Sequence, residues 1–134
     1  MADHRDVSQS FDRCLRRGDV IQRFYDLFMA SHPDVPARFT HTDFRAQKRL
    51  LEQGVNLAIL YAEGNPVGRI GVDRIRVSHA RSRMDIPLHF YDYWQEAFLA
   101  AIAEFDEEFS EALRMQWEQV LRKTIDHVRA GYEG

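Results

Sequence analysis

The chain has 134 residues, of which 45% are hydrophobic and 12% aromatic, and these values predict one globular domain over residues 1–134. The net charge of −3 gives no overall positive field, so neither nucleic acid nor an anionic membrane surface is an expected partner. Cys14 is the only cysteine, which excludes an internal disulfide. The first ten residues lack the apolar segment of a secretory signal, and the longest apolar runs are too short to cross a membrane. We therefore expect a cytoplasmic protein.

Apolar residues recur every three or four positions along the chain, and sustained two-residue alternation is absent, so the sequence predicts an all-α protein. In the first half, Gly18 ends a helix, Asp19 caps the next, and Thr42 or Asp43 caps a long one. The expected elements are Asp6–Arg17, a helix from Asp19 to Pro33, a short turn or one-turn helix at Asp34–Phe39, and a long helix carrying Phe44, Gln47, Leu50, Leu51, Gly54 and Ala58 on one face.

The second half of the chain also contains residues that begin and end helices. The sequence Gly64-Asn65-Pro66 breaks the chain, Pro87 suits the first turn of a helix, and Ser110 suits an N-cap. The expected helices are Val67–Ala80, which carries Ile70, Ile75 and His79, a helix opened by Pro87, and a last helix that runs from Ser110 to Gly131. We therefore expect six substantial helices and a short one.

His79 stands at the end of a helix, directly after Ser78 and before the Ile86-Pro87 turn. A metal-ligating imidazole needs a hydrogen-bond partner at its other ring nitrogen, which fixes its tautomer and raises its basicity. Ser78 is the candidate for that partner. Considered alone, His79 is also compatible with a surface or core histidine.

The spacing of four residues carries a resemblance. The second helix contains R-F-Y-D-L-F with Tyr25, Phe39 follows fourteen residues later, Gln47 lies eight further on, and His79 follows after a whole helix. This series resembles bacterial single-domain haemoglobins and the globin domain of flavohaemoglobins, over roughly Phe11 to Tyr132. The resemblance implies a globin fold of six to seven helices around a haem pocket.

The resemblance also implies a site. His79 is the expected ligand of haem b iron, and Tyr25 and Gln47 are the expected hydrogen-bond donors to a bound gas. Haem is a large apolar plate with a charged edge, so the remaining candidates are mostly apolar wall residues. The expected cofactor-binding set is Phe28, Phe39, Phe44, Leu51, Ile75, Arg76, Ser78, Ile86 and Tyr91.

Arg76 is the first choice for a haem propionate because it precedes His79 by three residues on the same helix face. Arg45, Lys48 and Arg83 stay open as alternatives. Of the remaining histidines, His32 suits a helix end, and His89 and His127 fall on faces predicted to point outward. His41 is expected in an exposed loop.

One departure from the resembled family concerns the hydrogen-bond partners of the histidine that binds the haem iron. In flavohaemoglobin-type globins a last-helix carboxylate joins the proximal histidine and a tyrosine, which favours oxygen activation. Tyr91 matches that tyrosine, but Tyr132 stands where the glutamate is expected, and Glu133 lies about 100° around the helix. The strong electron push of that family is therefore in doubt, and Ser78 is expected to hold His79.

The leading functional hypothesis is a haem protein that reversibly binds dioxygen, carbon monoxide and nitric oxide. Removal of nitric oxide is an enzymatic role that needs a separate reductase, because the chain has no flavin or nicotinamide domain. The alternative is a haemless globin-fold module for signalling or protein interaction. Globins also pair through their last two helices, so a homodimer stays open by analogy.

Overall fold

The structure, a computed structural model, describes residues 4–134 and contains seven helices over that range, with no strand there. They are α1 (Arg5–Arg17), α2 (Val20–Ser31), α3 (Asp34–Ala37), α4 (Phe44–Ala62), α5 (Pro66–His79), α6 (Phe90–Phe105) and α7 (Glu111–Ala130). The all-α prediction and the number of helices are confirmed. None of the helices in residues 4–134 has the length and apolarity needed to cross a membrane.

Side-chain caps explain where four of these helices begin. Asp19 accepts a hydrogen bond from the backbone N–H of Gln22, and Asp43 accepts from the first turn of α4. Asn65 and Ser110 do the same for α5 and α7. Each cap satisfies a backbone N–H that has no partner within its helix, so the predicted starts of α2, α4 and α7 are confirmed.

Two predictions about helices and their faces were wrong. Pro87 does not begin α6, because Pro87–His89 forms a separate turn in which the carbonyl of Pro87 accepts from the N–H of Phe90. Leu50, predicted to share a face with Leu51, is 59% exposed although Leu51 is buried. Helical periodicity defines a stripe on each helix, but the width of that stripe depends on the neighbouring helix.

Aromatic residues of α1, α2, α6 and α7 build the centre of the core. Trp94 and Phe98 of α6 are stacked at 5.2 Å, and the ring of Phe98 meets Phe24, Phe11 and Trp117 within 6.3 Å. Cys14 is completely buried here, as expected for a small apolar group, and burial raises the pKa of its thiol to about 12. This core holds α2, which carries Tyr25, against α6.

A buried ionic group ties the α6–α7 corner to α1. Asp106 is 3% exposed and accepts hydrogen bonds from Arg13 at 2.7 Å and Ser10 at 2.6 Å. The hydroxyl of Ser10 in turn accepts from the indole N–H of Trp117 at 3.0 Å. Every polar group of this network has a partner, which is the condition under which a buried charge is tolerated.

The crossing of α4 and α5 depends on Gly68. A Cβ added at this residue would lie 2.3 Å from the backbone nitrogen of Tyr61 and 2.6 Å from the carbonyl carbon of Leu60. No side chain fits at such distances, so the backbones of the two helices touch at this point. This contact fixes α5, and with it His79, relative to α4.

Candidate functional site

Five of the predicted site residues form one group, the Tyr25 cluster, which brings together α2, the segment after α3 and the start of α4. The ring of Tyr25 lies 5.9 Å from Phe39 and 5.6 Å from Phe44, both edge to face. Phe39 also lies 5.9 Å from Phe44 and 6.1 Å from Phe28. The fifth member is Gln47, whose amide donates to the phenolic oxygen of Tyr25 at 3.1 Å.

The direction of that hydrogen bond determines what Tyr25 offers. Since the phenolic oxygen accepts from the Gln47 amide, the hydroxyl proton of Tyr25 is left to donate to another group. Burial raises the pKa of Tyr25 to about 12, although the Gln47 amide lowers it in part. Tyr25 therefore stays protonated at neutral pH, as a hydrogen-bond donor within an aromatic wall.

His79 and its neighbours form a second group, the His79 cluster, made of Ile75, Ser78, His79 and Tyr91. The Oγ of Ser78 lies 2.9 Å from Nδ1 of His79 and donates to the carbonyl of Ile75 at 2.9 Å. Because the hydroxyl proton of Ser78 goes to Ile75, its oxygen accepts from Nδ1–H of His79. The expected partnership between Ser78 and His79 is present in the geometry.

The direction of the pKa shift of His79 agrees with a neutral imidazole that is protonated at Nδ1. Burial lowers the pKa of His79, although a hydrogen bond to the carbonyl of Ile75 raises it in part. The imidazole is thus neutral, with Nδ1 protonated and the lone pair on Nε2, which is the nitrogen left to bind a metal.

The two clusters meet at the start of α6. Phe90 lies 6.4 Å from Phe28 of the Tyr25 cluster, and the next residue, Tyr91, lies 6.5 Å from His79. Ile86 is partly buried beside His79, since its N–H donates to the His79 carbonyl at 3.3 Å. Leu51 is buried in the core face of α4.

The side chain of Arg76 does not lie where the sequence predicted it. Its guanidinium donates to the carbonyl of His127 at 2.9 Å, and its side chain packs so close to Gly131 that a Cβ there would lie 2.4 Å away. The side chain therefore extends toward α7, because the face of α5 that carries Arg76 packs on that helix. We correct the assignment of Arg76 as the propionate partner. Lys48, one of the alternatives, pairs with Asp19.

His127 was also predicted wrongly. Its Nε2 lies 2.6 Å from Asp73, its ring lies 5.5 Å from Tyr61, and its side chain is 17% exposed. His127 is therefore a partly buried link between α5 and α7 rather than an outward-facing residue. His89 is exposed, as expected.

The end of the chain meets the loop that follows His79. The hydroxyl of Tyr132 donates to Asp85, and its carbonyl accepts from the N–H of Arg81 at 2.8 Å. Asp85 has a positive φ of 52°, an unusual value for a residue other than glycine. These contacts fix the loop from residue 80 to residue 89 and direct Tyr132 to Asp85 rather than to the imidazole.

Sequence reasoning missed two contributors to the site. Ile75 was expected only as an apolar wall residue, but its carbonyl accepts the hydroxyl proton of Ser78 at 2.9 Å and leaves the Ser78 oxygen to face Nδ1 of His79. The available signal was that a helical serine often bonds to the carbonyl three residues earlier. Arg38 donates to the carbonyl of Met84 at 2.9 Å and places its guanidinium 5.8 Å from the ring of Phe90. No local pattern indicates that Arg38 reaches a loop 46 residues away.

A known structure resembles this one closely. The crystal structure of a Pseudomonas aeruginosa PAO1 protein, described as structurally highly homologous to a human hemoglobin, matches this chain with a TM-score of 0.91. The sequences are 33% identical, and the match covers 96% of this chain and 97% of that one. No protein-family model and no curated protein matches the chain. Identity and coverage at this level extend the likeness from the fold to the family, and the chain belongs to the bacterial globin-like proteins.

Proposed function

We propose that this globin-like chain holds haem b through His79 and reversibly binds dioxygen on the side of Tyr25 and Gln47. Carbon monoxide and nitric oxide are further expected ligands. The relative's described homology to a human hemoglobin supports a haem-dependent role. The observation that carries the proposal is the position of His79, a half-buried histidine at the end of α5 whose Nδ1 lies 2.9 Å from the Ser78 hydroxyl.

The side chains around His79 and Tyr25 suit haem in their chemistry. A neutral imidazole held at Nδ1 presents Nε2 to a metal, as histidine ligands of metals require. Four of the apolar side chains are only partly buried: Phe39, Phe44, Ile75 and Ile86. Their exposed apolar surface is therefore available to contact a flat apolar group. These residues, with Phe28, Leu51, Ser78 and Tyr91, are the proposed haem contacts.

Tyr25 gives the proposed gas site its selectivity. Haem held by one neutral histidine supplies an iron position that is open to a diatomic gas. The Tyr25 hydroxyl, which burial keeps protonated and whose oxygen accepts from the Gln47 amide, is the donor for a gas that accepts a hydrogen bond. A donor of this kind favours dioxygen, which gains negative charge on binding, over carbon monoxide.

Gas binding is favoured over oxygen activation by what His79 contacts. Among the described residues its polar contacts are the Ser78 hydroxyl and the Ile75 carbonyl, both uncharged, and Tyr132 is directed to Asp85. A carboxylate partner would raise the basicity of the imidazole more than these neutral groups do. Any turnover of nitric oxide by this chain would also require a source of electrons.

The test is a visible absorption spectrum of the protein after titration with hemin, recorded as ferric, ferrous and carbon monoxide-bound forms. We expect one equivalent of hemin to give a Soret band that shifts on addition of carbon monoxide. His79→Ala should lose stable haem, because it removes the proposed ligand. His41→Ala, which alters an exposed histidine, is the matched control and should bind haem normally.

Two outcomes would contradict the proposal. A wild-type protein without a Soret band after addition of hemin would favour the haemless signalling or interaction module. An unchanged spectrum in His79→Ala would show that another group holds the iron.

A further inference from the structure

Two histidines outside the proposed haem site lie against each other at the surface. The rings of His32, at the end of α2, and His89, immediately before α6, are 5.4 Å apart. Asp34, the first residue of α3, adds a carboxylate. One ligand atom from each of the three residues lies within 4.8 Å of the other two.

We propose that His32, Asp34 and His89 form a binding site for a divalent transition-metal ion of the zinc type. Two imidazoles and one carboxylate are donors that Zn²⁺ prefers, and hard ions such as Mg²⁺ and Ca²⁺ prefer oxygen alone. Three protein ligands leave a fourth position for water. The site is separate from His79, Tyr25 and Gln47.

The distances suit one shared ion. Ligands of a tetrahedral zinc ion lie about 3.4 Å apart, and two ligands of any such ion lie at most about 4.2 Å apart. Nδ1 of His32 and Oδ2 of Asp34 are 3.8 Å apart, already within this range. The two remaining separations, from His89 to His32 and to Asp34, are at most 4.8 Å and close with small rotations of the exposed side chains of His89 and Asp34.

The tautomer of His32 is the one that this geometry needs. Nδ1 of His32 accepts a hydrogen bond from the backbone N–H of Asp34 at 3.1 Å. An accepting Nδ1 has a lone pair, and the proton of the neutral ring is then on Nε2. The ion would replace a single backbone N–H at Nδ1, with no change of tautomer.

Aromatic neighbours hold both imidazoles in place. The ring of Tyr93 lies 5.1 Å from His32 and 6.3 Å from His89, and Phe90 lies 5.0 Å from His89. Ring packing of this kind restricts the rotamers of both ligands before the ion arrives, which reduces the entropy lost on binding. The ion would link the α2–α3 corner to the start of α6.

The test is a calorimetric titration of the tag-free protein with Zn²⁺. We expect one equivalent to bind, and we expect His32→Ala and His89→Ala each to weaken binding roughly tenfold or more, because each removes a direct ligand. His41→Ala, in the exposed loop before α4, is the matched control and should bind like the wild type. All variants should keep the wild-type helical circular dichroism.

A diffraction experiment at the zinc absorption edge locates the ion independently. An anomalous peak between His32, Asp34 and His89 would support the proposal. Failure of the wild type to bind one equivalent, wild-type affinity in His89→Ala, or a peak elsewhere on the chain would overturn it. Haem content does not enter either readout, so the two proposals fail independently.

Discussion

The side-chain amide of Gln47 donates to the phenolic oxygen of Tyr25 across 3.1 Å, which joins α4 to α2. This bond uses the acceptor side of the tyrosine and leaves its proton for a ligand. A tyrosine that donated to Gln47 instead would have no proton left for a gas. The orientation of the Gln47 amide therefore leaves the Tyr25 hydroxyl as a donor, which the proposed gas binding requires.

Tyr25→Phe should speed the release of dioxygen. The substitution removes one hydrogen bond to a ligand with partial charge, worth about 1.5–3 kcal/mol, so release should become roughly ten- to a hundredfold faster. Stopped-flow mixing of the dioxygen-bound protein with carbon monoxide measures this rate. Tyr61→Phe, which alters a tyrosine that packs on His127, is the control. Equal release rates in Tyr25→Phe and wild type would show that Tyr25 does not donate to the gas.

Ser78→Ala should weaken haem retention without abolishing it. The variant removes the Ser78 hydroxyl that lies 2.9 Å from Nδ1 of His79, and the ring keeps its favourable interaction with the Ile75 carbonyl. Loss of such a supporting hydrogen bond costs roughly tenfold or more in metal affinity, so haem transfer to a scavenging protein should accelerate by about that factor. Ser82→Ala, at an exposed serine of the following loop, is the comparison. Identical transfer rates in the Ser78 variant and wild type would exclude the supporting role.

Gly68→Ala should destabilise the fold, and Gly54→Ala should not. The added methyl at Gly68 meets the backbone of α4 and should lower the free energy of unfolding by about 1–3 kcal/mol through overpacking. At Gly54, inside α4, the new Cβ meets no atom within 4 Å, so the higher helix propensity of alanine should raise stability by about 0.5–1 kcal/mol. Urea unfolding followed by circular dichroism compares the two. Equal midpoints would contradict the close crossing of α4 and α5.

Asp106→Asn should lower stability at neutral pH by about 1–3 kcal/mol, because the buried carboxylate accepts charge-assisted hydrogen bonds. Glu108→Gln, at a side chain that is 70% exposed, should change stability by less than about 0.5 kcal/mol. Urea unfolding at pH 7 measures both. A change in Asp106→Asn no larger than that of Glu108→Gln would rule out the role of the network.

Asp106 also makes the stability of the fold depend on pH. Burial raises the pKa of Asp106, but hydrogen bonds from Arg13, Ser10 and the N–H of Glu108 outweigh burial and hold the pKa below its ordinary value. The ionised group therefore contributes stability that is complete above about pH 4 and is lost as the pH falls through the lower folded value. Unfolding midpoints from pH 7 to pH 3 should fall less steeply in Asp106→Asn than in wild type. Parallel curves would contradict this assignment.

Local sequence was sufficient for the helices and for the family. Caps such as Asp43 and Ser110 act within one turn, so their effect on helix starts is visible in the sequence itself. The spacing of Tyr25, Phe39, Gln47 and His79 predicted a globin, and the family is confirmed. The roles of these residues in haem and gas binding remain predictions.

Only the tertiary structure decided which side chains from different helices contact one another. The periodicity of the sequence shows that Arg76 and His79 share a helix. It does not show how α5 is rotated about its axis between α4 and α7, and this rotation determines that Arg76 contacts His127. The same rotation leaves Ile70 exposed. His32 and His89 are far apart in sequence, and each is unremarkable there. They meet because α2 packs along α6, and that packing depends on the shapes of two helices together rather than on the pattern of either one.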